Sequence, residues 1–350
     1  MSRARRITVG LVSMLALALA TPAFAQLVAR GALAAALDAD LPVIVAARDH
    51  TGAIDVQSNL GRGGADMLVD LGSITKTATA IAVLHLIEEE GLDTRATLGT
   101  VLPDVPPDKA GITLHQLLTH TAGIIETTGD DAEPLARSAF LTRVWASPLM
   151  YTPGSAHAYS NAGYSILAAI IELQSGLSFE DYLMDRVLGP RGLRRFGYSR
   201  VYKEVCSLRT NRHASTGFAR LPIAAASWGG ALPGWNLIGN GGAVATAEAF
   251  LTFWAAFLDG RIVSRDLVAE ALTPHADEGN GATFYGYGLV VEPLPDGGVA
   301  YWHDGGNDLF SAEFRHIARS GVTLFSAGRD DAAFEAIERM TSRGHLLPEQ

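Results

Sequence analysis

The segment Gly72-Ser73-Ile74-Thr75-Lys76 places a hydroxyl and an amine three residues apart. If a helix begins here, Ser73 and Lys76 share one face, with their Cβ atoms roughly 5–6 Å apart. A serine hydroxyl becomes a nucleophile when a base takes its proton. A lysine amine is such a base once burial and the positive end of a helix lower its pKa. The same helix start would place the Ser73 N–H where an oxyanion forms. The alternative is a helix-capping serine followed by a surface lysine.

A second group of reactive side chains is formed by Tyr159, Ser160 and Asn161, which follow the turn-like segment 151–154 and open a predicted helix. A tyrosine, as phenol or phenolate, can relay a proton from a serine–lysine pair to a leaving group, and an asparagine amide can hold a substrate carbonyl. The structural alternative is that Ser160 or Asn161 caps the helix while Tyr159 packs in the core.

The third segment, residues 301–306, reads Tyr-Trp-His-Asp-Gly-Gly at the end of a predicted strand. Gly305 and Gly306 would let a substrate lie against the backbone, and the Gly306 N–H could supply a second oxyanion donor. Taken alone, the segment is equally a strand followed by a turn. His303 is titratable, and we expect it to make activity depend on pH near neutrality.

The elements that must bring these segments together are predicted from hydrophobic periodicity and turn residues. The strongest helix runs from Ser73 to Glu90, with a continuous apolar face and Gly91 where a helix would stop. Further helices are predicted at 27–37, 113–119, 137–145, 160–175, 178–187, 246–258, 264–272 and 332–342. Strands are predicted at 42–47, 53–58, 284–292, 298–303, 309–316 and 321–327.

Strands therefore occupy both ends of the chain and helices its middle. This order fits an α+β fold, in which an antiparallel sheet is completed by the two chain ends and flanked by helices. A mainly helical subdomain is expected to be inserted at roughly 92–240. No repeat and no low-complexity linker divides the chain, so residues 26–350 are predicted to form a single domain.

Together and in this order, the three segments resemble the Ser-x-x-Lys, Tyr-x-Asn and Lys/His-x-Gly motifs of the serine β-lactamase and penicillin-binding-protein superfamily. The class C β-lactamase, DD-peptidase and esterase branch is the most similar. Supporting phrases lie at 117–123, 151–154 and 241–243, and the resemblance covers roughly residues 30–340. It implies a β-lactamase/transpeptidase-like fold and an acyl-enzyme that forms and hydrolyses without a metal or a cofactor.

The resemblance also implies roles for individual residues. Ser73 is the nucleophile, and Lys76 and Tyr159 handle its proton. Asn161 contacts the substrate and the lysine, and His303 is a positioning group.

Two further histidines, His115 and His120, are expected to be structural. Their five-residue spacing puts them on different helix faces, and no carboxylate ligand pattern accompanies them.

The third motif departs from many β-lactamases of this branch, which carry lysine and threonine where this chain has His303 and Asp304. Histidine is cationic only when protonated, and an aspartate beside it repels a substrate carboxylate unless it points away from the cleft. We therefore rank hydrolysis of esters or amides first, a DD-carboxypeptidase acting on D-alanyl peptides second and an efficient β-lactamase third. The alternative of another class is a catalytically silent binding or sensor domain.

Residues 1–25 have the pattern of a secretory signal peptide. Arg3, Arg5 and Arg6 precede an apolar run at 7–20, and a small-x-small segment follows at 23–25. The run falls short of the ~20 residues that span a bilayer, so cleavage after residue 25 would leave no stable membrane anchor. The protein is expected to be exported and to be periplasmic or secreted.

Charge and cysteine content limit the partners. Loss of the signal moves the formal charge from −10 to −13, and an acidic chain without a basic run is a poor nucleic-acid binder. The expected partners are small ester, amide or peptide substrates, and no oligomeric state follows from the sequence. The single cysteine, Cys206, forms no intrachain disulfide and is expected to be a packed structural thiol.

Overall fold

Strands from the two ends of the chain pair with each other in the computed structural model, which describes residues 33, 36–37, 41–59, 67–201, 233–307 and 309–342. In chain order the strands are β1 (Val43–Arg48), β2 (Ile54–Ser58), β3 (Val69–Asp70), β4 (Phe196–Gly197), β5 (Val244–Ala245), β6 (Ala276–Asp277), β7 (Phe284–Tyr285), β8 (Val290–Pro293), β9 (Val299–Asn307), β10 (Phe310–Ile317) and β11 (Val322–Arg329).

Eight of these strands form one sheet in the order β2-β1-β11-β10-β9-β8-β7-β6, and every neighbouring pair is antiparallel. β1 pairs with β11 in a register that sets Val45 opposite Ser326. The predicted antiparallel sheet completed by both chain ends is thus confirmed. The short strands β3, β5 and β4 form a second, three-stranded sheet, which the sequence analysis did not predict because two-residue strands carry no periodicity.

The helices lie mostly in the middle of the chain. In order they are α1 (Thr75–Glu90), α2 (Leu98–Val101), α3 (Leu114–Leu118), α4 (Arg137–Ala146), α5 (Asn161–Ser175), α6 (Phe179–Asp181), α7 (Ala247–Leu258), α8 (Arg265–Ala271) and α9 (Ala332–Ser342). A 3-10 turn at Gly72–Ile74 leads into α1, and a π-helical segment at Tyr182–Leu188, with a 3-10 turn at Gly189–Arg191, follows α6.

Helices cover both faces of the large sheet, because alternate residues of its strands are apolar on both sides. Val43, Val45 and Ala47 of β1 pack in the cluster that contains α9, whereas Ile44 and Ala46 belong to the larger core that contains α7.

The larger core also holds α1, whose residues from Thr75 to Ile87 are all buried. The helix ends as predicted at Gly91, which has φ 65° and donates its N–H to the Ile87 carbonyl. A helix buried on all sides fixes its side chains firmly, and α1 carries the residues of the first motif.

The three largest differences from the predicted elements are the following. The predicted strand 284–292 is divided into β7 and β8 by the turn at 286–289, where Gly288 has φ 73°. The predicted helix 178–187 is α6 followed by the π-helical segment. β9 does not end at His303 but continues through both glycines to Asn307, because Gly305 and Gly306 pair with β10.

Some predictions fall partly or wholly outside the described residues. Residues 33, 36 and 37 are helical within the predicted helix 27–37, whereas the signal segment 1–25 and Cys206 lie outside. The bounds of the helical subdomain at 92–240 stay a prediction. Within the described ranges, no single helix has the length and hydropathy to cross a membrane. The segments Asn161–Ser175 and Phe179–Arg191 have sufficient length and hydropathy only when they are taken together, and they are bent by 79° relative to each other.

Candidate active site

The 3-10 turn that carries Ser73 packs backbone against backbone on β9. A Cβ added to Gly305 would lie 2.4 Å from both the Ser73 nitrogen and the Leu71 carbonyl oxygen. A Cβ on Gly72, which has φ 49°, would lie 2.6 Å from the Gly306 nitrogen. Only glycine therefore fits at this contact. The close approach brings the Ser73 and Gly306 N–H groups of the predicted oxyanion hole to the same junction.

Replacing Gly305 with alanine is therefore expected to push the Ser73 turn and β9 apart. A displacement near 1 Å lowers the turnover of an enzyme about 10²-fold, and overpacking destabilises a fold by about 1–3 kcal/mol. Ester hydrolysis and urea unfolding measure the two effects. Gly111→Ala is the control, since nothing lies within 4 Å of a Cβ at Gly111. Equal activity of both variants would contradict the predicted role of this contact.

The amine of Lys76 lies at the centre of the site. Its Nζ is 2.9 Å from the Ser73 Oγ, 2.7 Å from the Asn161 Oδ1 and 2.8 Å from the Asn240 carbonyl oxygen. A neutral amine has two N–H groups and one lone pair. The Asn161 and Asn240 oxygens accept both N–H groups, which leaves the lone pair for the Ser73 hydroxyl. The geometry thus matches a lysine that takes the serine proton.

Burial keeps this amine close to its neutral form. Lys76 is 0% exposed, and its burial lowers its pKa from 10.5 to about 7. The carboxylates of Asp131, Asp304 and Glu126 act in the opposite direction. No ion pair with Lys76 is present among the described residues, so burial decides the direction.

Tyr159 completes the group around Ser73. Its ring centroid is 4.7 Å from the Lys76 Nζ. Burial raises the Tyr159 pKa well above its usual value, and the nearby Ser73 hydroxyl opposes this only in part. Of the two forms considered from the sequence, the neutral phenol is therefore the one present at neutral pH. A phenol can accept one proton while it donates another.

The two residues after Tyr159 have different roles: one caps a helix, and the other contacts the Lys76 amine. Ser160 caps α5 by accepting the Gly163 N–H at 2.9 Å, as the structural alternative expected. Asn161 is the first residue of α5, and its side-chain oxygen accepts a hydrogen bond from Lys76. Capping fixes the helix start, and the helix start fixes the Asn161 amide.

His303 lies next to this group but is neutral. It is 2% exposed, and burial lowers its pKa from 6.5 to about 4. Its Nδ1–H donates to the Asp304 carbonyl at 2.6 Å, which leaves Nε2 to accept the Tyr285 hydroxyl at 2.9 Å. The expectation that His303 titrates near neutrality is therefore wrong. A neutral imidazole with both nitrogens engaged also offers no cation to a substrate carboxylate.

Three residues that lie beside Lys76 or Tyr159 were not assigned to the site from the sequence. Asn240 contributes a main-chain carbonyl, which its side chain supports by donating to Ser165 Oγ at 2.8 Å. Tyr285 was assigned only to a strand. His120, expected to be structural, lies with its ring centroid 4.3 Å from that of Tyr159. His115 is instead bonded to the Tyr287 hydroxyl at 2.7 Å. The only sequence signal for His120 and Asn240 was their position within or beside the phrases 117–123 and 241–243, and Tyr285 had none.

This chain is similar to several known proteins. A penicillin-binding protein of Bacillus subtilis (strain 168) is 26% identical over 283 residues, which span 75% of this chain and 61% of that protein. Esterase EstB of Burkholderia gladioli is 31% identical over 153 residues, 38% of this chain and 39% of that one. The chain thus matches less than two thirds of the length of these relatives.

A solved structure gives a longer match. The penicillin binding protein from Bacillus halodurans superposes with a TM-score of 0.71 at 21% identity, covering 89% of this chain and 99% of that one. This likeness shows a shared fold. The family model described as Beta-lactamase matches residues 22–342. Since this range includes most of the chain, the protein belongs to the Beta-lactamase family.

Proposed function

We propose that the protein hydrolyses small esters or amides through an acyl-enzyme on Ser73 and that it disfavours substrates with a carboxylate beside the scissile bond. The observation that carries the proposal is the environment of the Lys76 amine, with two oxygen acceptors at 2.7 and 2.8 Å and the Ser73 hydroxyl at 2.9 Å. A catalytically silent domain has no need of a buried amine held in this way.

The proposed reaction begins when the Ser73 hydroxyl proton moves to the Lys76 amine. The Oγ then forms a bond with the carbonyl carbon, and the resulting oxyanion faces the N–H groups of Ser73 and Gly306. Collapse breaks the bond to the leaving alcohol or amine, which receives the proton through the Tyr159 phenol. A water molecule then attacks the acyl ester and gives its proton to Lys76. The bond between the acyl carbon and the Ser73 Oγ breaks, the acid leaves, and Lys76 returns the proton to the Ser73 Oγ.

The charge around the cleft supports the substrate preference. The charges that act on Lys76 come from Asp131, Asp304 and Glu126, all carboxylates. Asp304 follows the neutral His303, and its side chain is 52% exposed. A substrate carboxylate bound here would meet these like charges. D-alanyl peptides and penicillins carry such a group, and uncharged esters and amides do not.

The test is the intact mass of the protein after incubation with a nitrophenyl ester, penicillin or a D-alanyl-D-alanine peptide. We expect the ester to acylate the protein at least about tenfold faster than the two carboxylate-bearing compounds. Faster acylation by the peptide or by penicillin would favour the DD-carboxypeptidase or β-lactamase alternative. Absence of any adduct and of any turnover would favour the silent domain.

Asp304→Asn separates charge from shape in the same assay. Removal of this carboxylate is expected to raise acylation by penicillin about three- to tenfold relative to the ester. Asp104→Asn, at an exposed position after α2, changes the net charge equally and is the control. An unchanged ratio in Asp304→Asn would remove the proposed reason for the preference.

We also propose that the protein is exported. The basic, apolar and small-residue parts of segment 1–25 support this proposal.

A further inference from the structure

We infer, on the basis of the proposed function, that His120 is a positioning residue that holds Tyr159 against Ser73. His120 follows α3 by two residues, is 2% exposed and has φ 57°. A left-handed backbone is unfavourable for a residue with a Cβ, so a specific set of contacts must hold it.

The main-chain contacts of His120 fall on both neighbours of the tyrosine. The Ala158 N–H donates to the His120 carbonyl at 3.0 Å, and the Ser160 N–H donates to the His120 Nδ1, also at 3.0 Å. Tyr159 lies between these two bonds. One histidine therefore fixes the chain immediately before and after the tyrosine, using its backbone for one bond and its ring for the other.

The ring makes a third contact with the tyrosine itself. The centroids of His120 and Tyr159 are 4.3 Å apart, with 37° between the planes. Tyr285 and Tyr164 surround the same imidazole at 4.6 and 5.0 Å. Because the phenol reaches Ser73 from this stack, a shift of the imidazole would be passed directly to the hydroxyl.

The bond from Ser160 also sets the protonation of the ring. An Nδ1 that accepts an N–H has no proton, so His120 is neutral with its proton on Nε2. Burial lowers its pKa well below the usual value, and the nearby Lys76, His157 and His303 act in the same direction. The buried Nε2 has no hydrogen-bond partner among the described residues. An apolar ring at this position would not leave a buried N–H without a hydrogen bond. The imidazole has this cost, but its Nδ1 accepts the Ser160 N–H, which an apolar ring cannot do.

The experiment compares His120→Phe, which keeps a ring but no acceptor, with His120→Asn. The Asn side-chain oxygen can replace Nδ1, and Asn tolerates a left-handed backbone. His120→Phe is expected to lower kcat for a nitrophenyl ester about 10²-fold, while KM changes less than about threefold. His120→Asn should recover most of kcat. If the Phe variant does not fold, His120→Gly, which suits the backbone, replaces it.

A matched control and a double variant distinguish positioning from a general effect on stability. His316 is also buried, with its Nδ1 2.9 Å from the Thr323 hydroxyl, and His316→Phe is expected to lower Tm but leave kcat unchanged. In a Tyr159→Phe background, His120→Phe should lower kcat less than threefold further, because the group that it positions is already absent.

The outcomes also separate this inference from the proposed function. If a fluorophosphonate labels the wild type, and His120→Phe and His120→Gly are labelled at the same rate, the positioning role is wrong while the function stands. The positioning role would also be wrong if the double variant His120→Phe/Tyr159→Phe lost as much kcat as the product of the two single losses. If the wild type is not labelled and turns over no ester, the proposed function itself fails.

Discussion

Ser73→Ala is expected to abolish labelling by a fluorophosphonate and to lower ester hydrolysis by about 10⁴-fold or more. The Ser73 Oγ is the hydroxyl that the Lys76 amine contacts, at 2.9 Å, and the Tyr159 phenol is near enough to Ser73 for this serine to affect its pKa. Alanine leaves both proton-handling groups in place but removes the atom that forms the acyl bond. Binding and the oxyanion donors alone give only a small residual rate.

Intact mass after incubation with the probe measures the labelling, and a continuous ester assay measures the rate. Ser175→Ala is the matched control, because Ser175 lies at the far end of α5 and donates to the Ile171 carbonyl. The control should label fully, and both variants should unfold within a few degrees of the wild type. An adduct on Ser73→Ala would assign the chemistry to another nucleophile.

The main elements of the fold were predictable because their signals are local. Gly91 ends α1, since its positive φ suits glycine, and the Ala, Ile, Val and Leu residues of α1 form a continuous apolar face. The pairing of β1 with β11 followed from the positions of strands at both chain ends. The small sheet of β3, β5 and β4 could not be found, because its pairs depend on distant contacts.

The end of β9 could not be predicted from the sequence for a different reason. Two consecutive glycines usually indicate a turn, yet Gly305 and Gly306 stay in an extended strand. The reason is the contact with Gly72 and Ser73, where a Cβ would lie under 3.0 Å from the opposite backbone. The need for glycine here is set by a segment more than 200 residues away, which no local pattern records.

The candidate site was predictable to the extent that it rests on side chains. The three-residue spacing predicted the Ser73–Lys76 contact, and the resemblance to a family added Tyr159 and Asn161. The Asn240 carbonyl could not be predicted, since every residue has one. The burial that lowers the His303 pKa depends on the whole fold, and a sequence shows only that a histidine is present.

Lys76→Met is expected to lower kcat/KM about 10³-fold or more and to remove an acid limb from the pH profile. With a Lys76 pKa of about 7, the neutral base is present above pH 7 and is lost below it. Wild-type kcat/KM should therefore fall about tenfold per pH unit below pH 7 and level off above it. His303, at about 4, and Tyr159, with its raised pKa, do not titrate between pH 5 and 9. A profile with its inflection near pH 5 would contradict the assignment to Lys76.

The same lysine is expected to make the free energy of unfolding depend on pH. Its pKa is 10.5 in the unfolded chain and about 7 in the fold, so between these values the unfolded chain binds more protons. The free energy of unfolding should then rise with pH, by up to about 1.4 kcal/mol per unit, and methionine should remove this rise. Urea unfolding of the wild type and Lys76→Met at pH 7.5 and 9 measures the difference. Equal pH dependence in the two proteins would show that the amine is not held neutral by burial. In that case, the loss of activity in Lys76→Met would have to be explained without Lys76 as the base.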